Sequence, residues 1–157
     1  MELKDRTVCF TGHRELKDRD CEQELYTVIE ELVEKGFCFF GCGGARGFDS
    51  LAEKVILELK ETKYPYIHLI LVLPFHNQYE QETRWSGEEI DFYHYAKAKA
   101  DKLVHLSPVY RRGIYYKRNR YLVDGSSVCV AYQYKNTGGT AYTVKYAQER
   151  GLDIVYI

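Results

Sequence analysis

Glycine recurs at one kind of place in this sequence, just after short apolar runs that read as β-strands. Gly12 follows residues 7–10, Gly43, Gly44 and Gly47 follow residues 37–40, and Gly138 and Gly139 follow residues 127–132. Gly47 and Gly138 also open helical patterns. A chain that repeatedly passes from strand to glycine turn to helix is confined to α/β architectures with parallel strands. In such sheets the carboxyl ends of the strands and the N-termini of the following helices form the ligand crevice. Glycine there lets backbone come close to a ligand, and the unpaired N–H groups of a helix's first turn attract anions. Three loops of this kind on one sheet edge point to a phosphate-bearing small molecule.

The hydrophobic periodicity fills in the elements. Residues 7–10, 37–40, 67–73, 103–106, 127–132 and 154–157 read as six strands. Cys21, Leu25, Val28, Ile29, Leu32 and Val33 mark one face of a first helix, which Gly36 ends. Phe48, Leu51, Ala52, Val55, Ile56 and Leu59 mark a second, with the cleanest helical period in the chain. Residues 85–100 form a third helix with a face blurred by tyrosines and lysines. Residues 110–124 read as a basic, tyrosine-rich loop and then a helix, and residues 138–150 as a final helix. Right-handed crossovers between parallel strands then give a Rossmann-like three-layer α/β sandwich with a mostly parallel six-stranded sheet. The expected strand order is 3-2-1-4-5-6, with the switch point between strands 1 and 4. No repeat or linker divides the chain, so residues 1–157 are expected to form one domain.

Composition narrows the partners. The 157 residues are 45% hydrophobic and 29% charged with a formal net charge of −1. No global field of that size draws a protein onto nucleic acid or anionic lipid, so neither nucleic acid nor membrane is expected as a partner. No apolar stretch reaches the roughly 18 residues of a membrane span, and residues 1–6 lack the apolar core of a signal peptide. The five cysteines, Cys9, Cys21, Cys38, Cys42 and Cys129, form no CxxC pair. Three of them fall in strands, where free cysteine acts as a small core hydrophobe, and a reduced cytoplasm is the expected compartment. No residue spacing fits a metal site.

The candidate chemistry lies in the loops. Residues 41–47 read G-x-G-x-x-x-G after the second strand, which is neither the dinucleotide fingerprint nor a P-loop. A tight strand-to-helix turn is the plain explanation, but Arg46 within it can hold a phosphate bidentately. Asp49 either caps the helix or accepts from ribose hydroxyls. After strand 1 come Thr11, Gly12, His13 and Arg14, where His13 is either a general acid or base or a hydrogen-bonding loop residue. Asn136, Thr137, Gly138, Gly139 and Thr140 either offer free amides and two hydroxyls at a helix start or form a hairpin-like turn with a threonine cap. Arg111, Arg112, Lys117, Arg118 and Arg120 form the one basic cluster, either a solvated helix face or a source of one or two phosphate contacts. Trp85 either stacks on a base or covers the sheet. Cys42 lacks a base partner nearby in sequence. Glu82 is the one carboxylate in the third loop proposed, with His13, as a catalytic candidate.

Taken in order, Thr11-Gly12-His13-Arg14, residues 43–49 followed by Ala52, Pro74-Phe75 with Gln78 and Trp85, Asn119 with Asp124, and Gly138-Gly139-Thr140 resemble the YpsA-like branch of the SLOG superfamily. That superfamily also contains the DprA and Lonely Guy (LOG) proteins. The resemblance runs from the first strand to the last residues. It implies a Rossmann-like fold and a nucleotide pocket lined by Thr11, Gly12, His13, Arg14, Gly43, Gly44, Ala45, Arg46, Gly47, Asp49, Pro74, Phe75, Trp85, Arg112, Arg118, Asn119, Gly138, Gly139 and Thr140. LOG phosphoribohydrolases carry a PGGxGTxxE loop with a catalytic Glu. The matching residues here, 137–144, have no proline before the glycines and no carboxylate after them. DprA proteins bind single-stranded DNA, and residues 45–49 are similar to their loop.

These readings converge on a binding or sensor protein for a nucleotide-derived ligand, with ADP-ribose or NAD-related compounds leading and no further cofactor required. Little turnover is expected. The alternatives are a LOG-like hydrolase of nucleotide N-glycosidic or phosphate bonds and a DprA-like single-stranded DNA-binding accessory protein. The tyrosine-rich third and fourth helices suggest a homodimer or higher homo-oligomer, with Tyr93, Tyr95, Tyr115 or Tyr116 near the interface.

Overall fold

The computed structural model describes residues 2–17 and 21–157. After a 3-10 turn at Leu3–Arg6, the chain runs β1 (Thr7–Gly12), α1 (Cys21–Glu34), β2 (Phe39–Cys42), α2 (Phe48–Thr62), β3 (His68–Leu73), a 3-10 turn at Gln78–Gln81, α3 (Gly87–Lys99), β4 (Lys102–His105), α4 (Ile114–Asp124), β5 (Val128–Tyr132), α5 (Gly139–Glu149) and β6 (Asp153–Tyr156). All five pairings are parallel, and the six strands lie in the order β4-β3-β2-β1-β5-β6. The three-layer α/β class and the six-stranded parallel sheet are those expected.

The runs 3-2-1 and 5-6 of the expected order are present, and β4 lies outside β3 rather than between β1 and β5. The reason is which helix makes the return crossover. α3 packs beside α2 on the same face of the sheet, so β4 simply extends the sheet past β3. α4 then crosses the opposite face, beside α5, and delivers the chain to β5. The switch point therefore falls between β1 and β5, and the loops after those two strands flank the crevice.

Alternation along the strands separates two cores. Val8, Phe10, Phe40, Leu69, Leu71 and Leu73 point to the side covered by α1, α2 and α3. Cys9, Val72 and Cys129 point to the side covered by α4 and α5. α2 sits at the centre of the larger core. Phe48, Ala52, Val55, Ile56 and Leu59 are all buried, and each large apolar side chain so buried contributes about 1.5–3 kcal/mol. Gly12 fits against this helix: a Cβ there would lie 2.4 Å from the Phe48 ring, so a larger residue at the end of β1 would push α2 off the sheet.

Candidate functional site

The loop after β2 is held in a form only glycine allows. Gly44 and Gly47 have φ of 73° and 81°, in the left-handed region. A Cβ on Gly44 would meet Leu73 at 2.3 Å, and one on Gly47 would meet the Arg14 carbonyl at 2.2 Å. The loop's amides are engaged by its own helix. Gly44 N–H donates to Glu53 Oε2 at 3.2 Å and Ala45 N–H to Asp49 Oδ2 at 3.2 Å. Both carboxyls are buried, at 2% and 7% exposure for Glu53 and Asp49. Burial pushes both pKa values up: that of Glu53 well above the usual range, helped by the neighbouring Asp49, and that of Asp49 less, because the Arg118 guanidinium opposes it.

Arg118 completes this network from α4. It is 5% exposed, donates through Nη1 to the Gly43 carbonyl and through Nε to Asn119 Oδ1 at 2.7 Å. Arg46 is also turned inward, pairing with Glu15 at 2.6 Å and lying 3.9 Å from Glu89. The structure thus brings Gly43, Gly44, Ala45, Arg46, Gly47, Asp49 and Arg118 together, bonded to one another and to neighbouring loops. Arg112 lies apart from them, on the surface.

The loops after β1, β3 and β5 are tied into one rim. Thr11 is buried at the end of β1. His13 Nε2 accepts from the Tyr134 N–H at 3.0 Å, and the two rings lie 4.2 Å apart. The proton of the neutral ring therefore sits on Nδ1. Burial, then Lys135 and Lys17, lowers the His13 pKa, which favours that neutral acceptor form. Tyr134 O–H donates to the Glu15 carbonyl at 2.7 Å. Glu82 is a hub: it pairs with Arg14 at 2.9 Å and accepts from Trp85 Nε1 at 2.7 Å and from Tyr115 O–H at 3.2 Å. Burial and then Glu82 push the Tyr115 pKa up to about 12. His13 and Glu82 accordingly both act here as acceptors that fix loops. Pro74 and Phe75 are buried beneath this rim, and Phe75 meets Tyr110 and Tyr115 edge-on.

The loop after β5 is different. Gly138 precedes α5 with φ of 94°, and no side chain caps the helix. The first-turn N–H groups of a helix have no partner within it. Thr140 is buried at 7% exposure, while Gly138 and Gly139 are exposed. Asn119 reaches this turn from α4: its Nδ2 lies 4.0 Å from where a Gly139 Cβ would stand, and its Oδ1 is already taken by Arg118. An amide donor from α4 therefore lies beside the first turn of α5. Among the described residues, no group of three or more His, Cys, Asp or Glu could hold a metal ion.

Sequence reasoning missed Glu53, Gln78 and Tyr134. Glu53 stands one turn after Asp49 and one before Leu57 on α2, a spacing that placed it on a buried stripe. Gln78 entered only as part of a motif, and Tyr134 carried no signal of its own. Of the tyrosines expected near an interface, Tyr93 belongs to the core at 3% exposure and Tyr115 is bonded to Glu82, while Tyr95 and Tyr116 remain exposed.

The family model described as the YspA SLOG family matches residues 10–156. The chain belongs to this SLOG family. It is 30% identical over 141 residues to the uncharacterized SPbeta prophage-derived protein YoqJ of Bacillus subtilis, covering 82% of this chain and 80% of that protein. It is 31% identical over 136 residues to a UPF0398 protein of Halalkalibacterium halodurans, covering 82% of this chain and 66% of the relative. Among solved structures, the SLOG chain is similar in fold to DNA processing protein A (DprA) from Streptococcus pneumoniae, with a TM-score of 0.69, 17% identity, and coverage of 98% of this chain and 50% of that one. It is similar also to DprA from Helicobacter pylori, described for its unique single-stranded DNA binding mode, with a TM-score of 0.67, 18% identity, and coverage of 98% and 66%.

The last likeness corrects one expectation. The net charge argues against nucleic acid as a partner, yet a protein of this fold is described for binding single-stranded DNA. Net charge averages over the whole surface and hides local patches. Here Arg111, Arg112 and Lys117 are all exposed around the start of α4. No helix among the described residues is long and apolar enough to cross a membrane.

Proposed function

We propose that this SLOG chain binds a nucleotide-derived ligand in the crevice between the loops after β1 and β5. The observation that carries this reading is the first turn of α5, uncapped and exposed at Gly138 and Gly139, with the Asn119 amide alongside. A phosphate there accepts from backbone N–H groups and gains from the helix dipole. ADP-ribose and NAD-related compounds suit the site because they add a base for the aromatic rim to stack on. Hydrolysis is the weaker reading. No carboxylate lies within residues 140–144 after the paired glycines, and Glu82 and His13 are each engaged with neighbouring loops.

Single-stranded DNA is the second reading. It is favoured by the likeness to DprA and by two exposed tyrosines, Tyr110 and Tyr116 at 49% and 43%, beside the cations at the start of α4. Stacking aromatics next to basic side chains is what single-strand binding requires.

Gly139→Val tests the seat: a Cβ there meets no atom nearer than Asn119 Nδ2 at 4.0 Å, and a thermal melt checks that the variant folds. Calorimetry against ADP-ribose, NAD, AMP and a short single-stranded oligonucleotide is expected to show binding by the wild type. In the variant, which keeps the wild-type melting temperature, affinity falls by about tenfold or more, the loss of one or more hydrogen bonds. Unchanged affinity in a folded Gly139→Val protein places the ligand elsewhere.

A further inference from the structure

Gln78 opens the 3-10 turn after β3, behind Asn77, whose φ of 51° and ψ of 53° lie in the left-handed region. Its side chain is 0% exposed, yet neither Oε1 nor Nε2 has a hydrogen-bond partner among the described residues. A buried amide left unbonded loses its hydration and gains nothing in return, so an apolar side chain of the same shape would make a more stable core. A second arrangement in which the amide is bonded would recover that loss.

The surroundings say which arrangement. Gln78 Oε1 lies 3.7 Å from the point a Gly44 Cβ would occupy. The N–H of the same Gly44 donates to Glu53. Gln78 and Glu53 therefore both reach one residue of the glycine loop. A ligand phosphate that bonded the Gly44 N–H would displace the Glu53 carboxyl, which is itself buried at 2% exposure and would need a new partner. A carboxamide offers both donor and acceptor, so it can receive a carboxyl in either protonation state.

We propose that Gln78 is a positioning residue of the crevice: it receives the Glu53 carboxyl when a ligand phosphate takes the Gly44 N–H. The glycine loop is in this view closed by its own helix in the free protein and opened by exchange of one hydrogen bond for two. The proposal rests on the nucleotide-binding reading given above. High pKa at Glu53 assists the exchange, since a neutral carboxyl is moved more easily than a buried charge.

The test is Gln78→Met, of similar volume and without hydrogen-bonding groups, with Gln78→Leu as a second apolar variant. Each is measured for its melting temperature without ligand and for its affinity for ADP-ribose and for pyrophosphate by calorimetry. The expected result is a pair of opposite effects: a melting temperature raised by about 2–4 °C, and an affinity lowered about tenfold, the change that about 1.4 kcal/mol produces. A raised melting temperature with wild-type affinity overturns the proposal and leaves the nucleotide reading standing. A lowered melting temperature in both variants also overturns it, because the amide would then already be bonded in the free protein, for example to a buried water. Absence of binding by the wild type itself, to these two ligands and to the nucleotide panel above, overturns the nucleotide reading and this proposal together.

Discussion

Glu53 shows how much of this site is set by burial. A glutamate on α2 is expected to face water, yet its carboxyl lies in the core against Gly44 and near Asp49, and its pKa is raised well above the usual value. The folded chain therefore holds a proton that the unfolded chain has released once the pH passes about 4.5. Stability contributed by neutral Glu53 is full below that pH and is lost as the pH rises toward the folded value. Glu53→Gln keeps a carbonyl for the Gly44 N–H and has nothing to ionise. Thermal melts of both proteins are expected to differ little at pH 4 and to diverge toward pH 8, with the variant the more stable. A difference that stays constant over this range would mean that Glu53 ionises as it does in the unfolded chain. Gly44 carries a different lesson. Its positive φ and the 2.3 Å approach of Leu73 make any substitution there a test of folding, whereas Gly139 allows a test of binding.

Loops rather than helices or strands give the crevice its shape, and each is fastened to another. Glu82 joins the loop after β3 to Arg14 after β1 and to Tyr115 on α4. His13 and Lys17 join the loop after β1 to Tyr134 and Tyr132. Glu82→Ala leaves Trp85 Nε1–H and Tyr115 O–H without their acceptor and Arg14 without its counter-ion. Hydrogen bonds to a charged group contribute about 1.5–3 kcal/mol each when shielded; because Arg14 is 40% exposed, its ion pair adds little more. Because Glu82, Trp85 and Tyr115 are only half-buried, the two bonds contribute less than their shielded sum, and denaturant unfolding is expected to show a loss of about 2–4 kcal/mol; an unaltered midpoint would reduce the hub to a surface contact. These fastenings were not readable in the sequence. His13, Glu82 and Tyr134 are far apart along the chain, and only the register of β1 beside β5 brings two of them together. The glycine loops were readable because glycine at a strand's end has a local cause, a backbone that must turn or pack closely. Arg46 suits a phosphate by its charge and its place in the glycine loop, and Arg118 belongs to a cluster that reads either as a solvated face or as a source of phosphate contacts; neither reading reveals that each has an internal partner.

The molecule as a whole follows its alternation of strand and helix, which is why class, layers and most elements could be read from periodicity. The place of β4 could not. Whether a fourth strand extends the sheet or crosses it depends on which face the intervening helix packs against, and α3 has too blurred a face to declare it. The consequence reaches function, because the switch point moves to lie between β1 and β5, and the uncapped start of α5 comes to stand at the crevice. That start is the place to test ligand binding most directly. Amide resonances of the isotope-labelled protein, followed by NMR during titration with ADP-ribose, report each donor separately. Gly139, Thr140, Ala141 and the Asn119 side-chain amide are expected to shift most and to saturate together. A titration in which those four stay still while ligand binds, or in which the largest shifts fall at the opposite edge around Phe39 and Tyr66, would contradict that expectation.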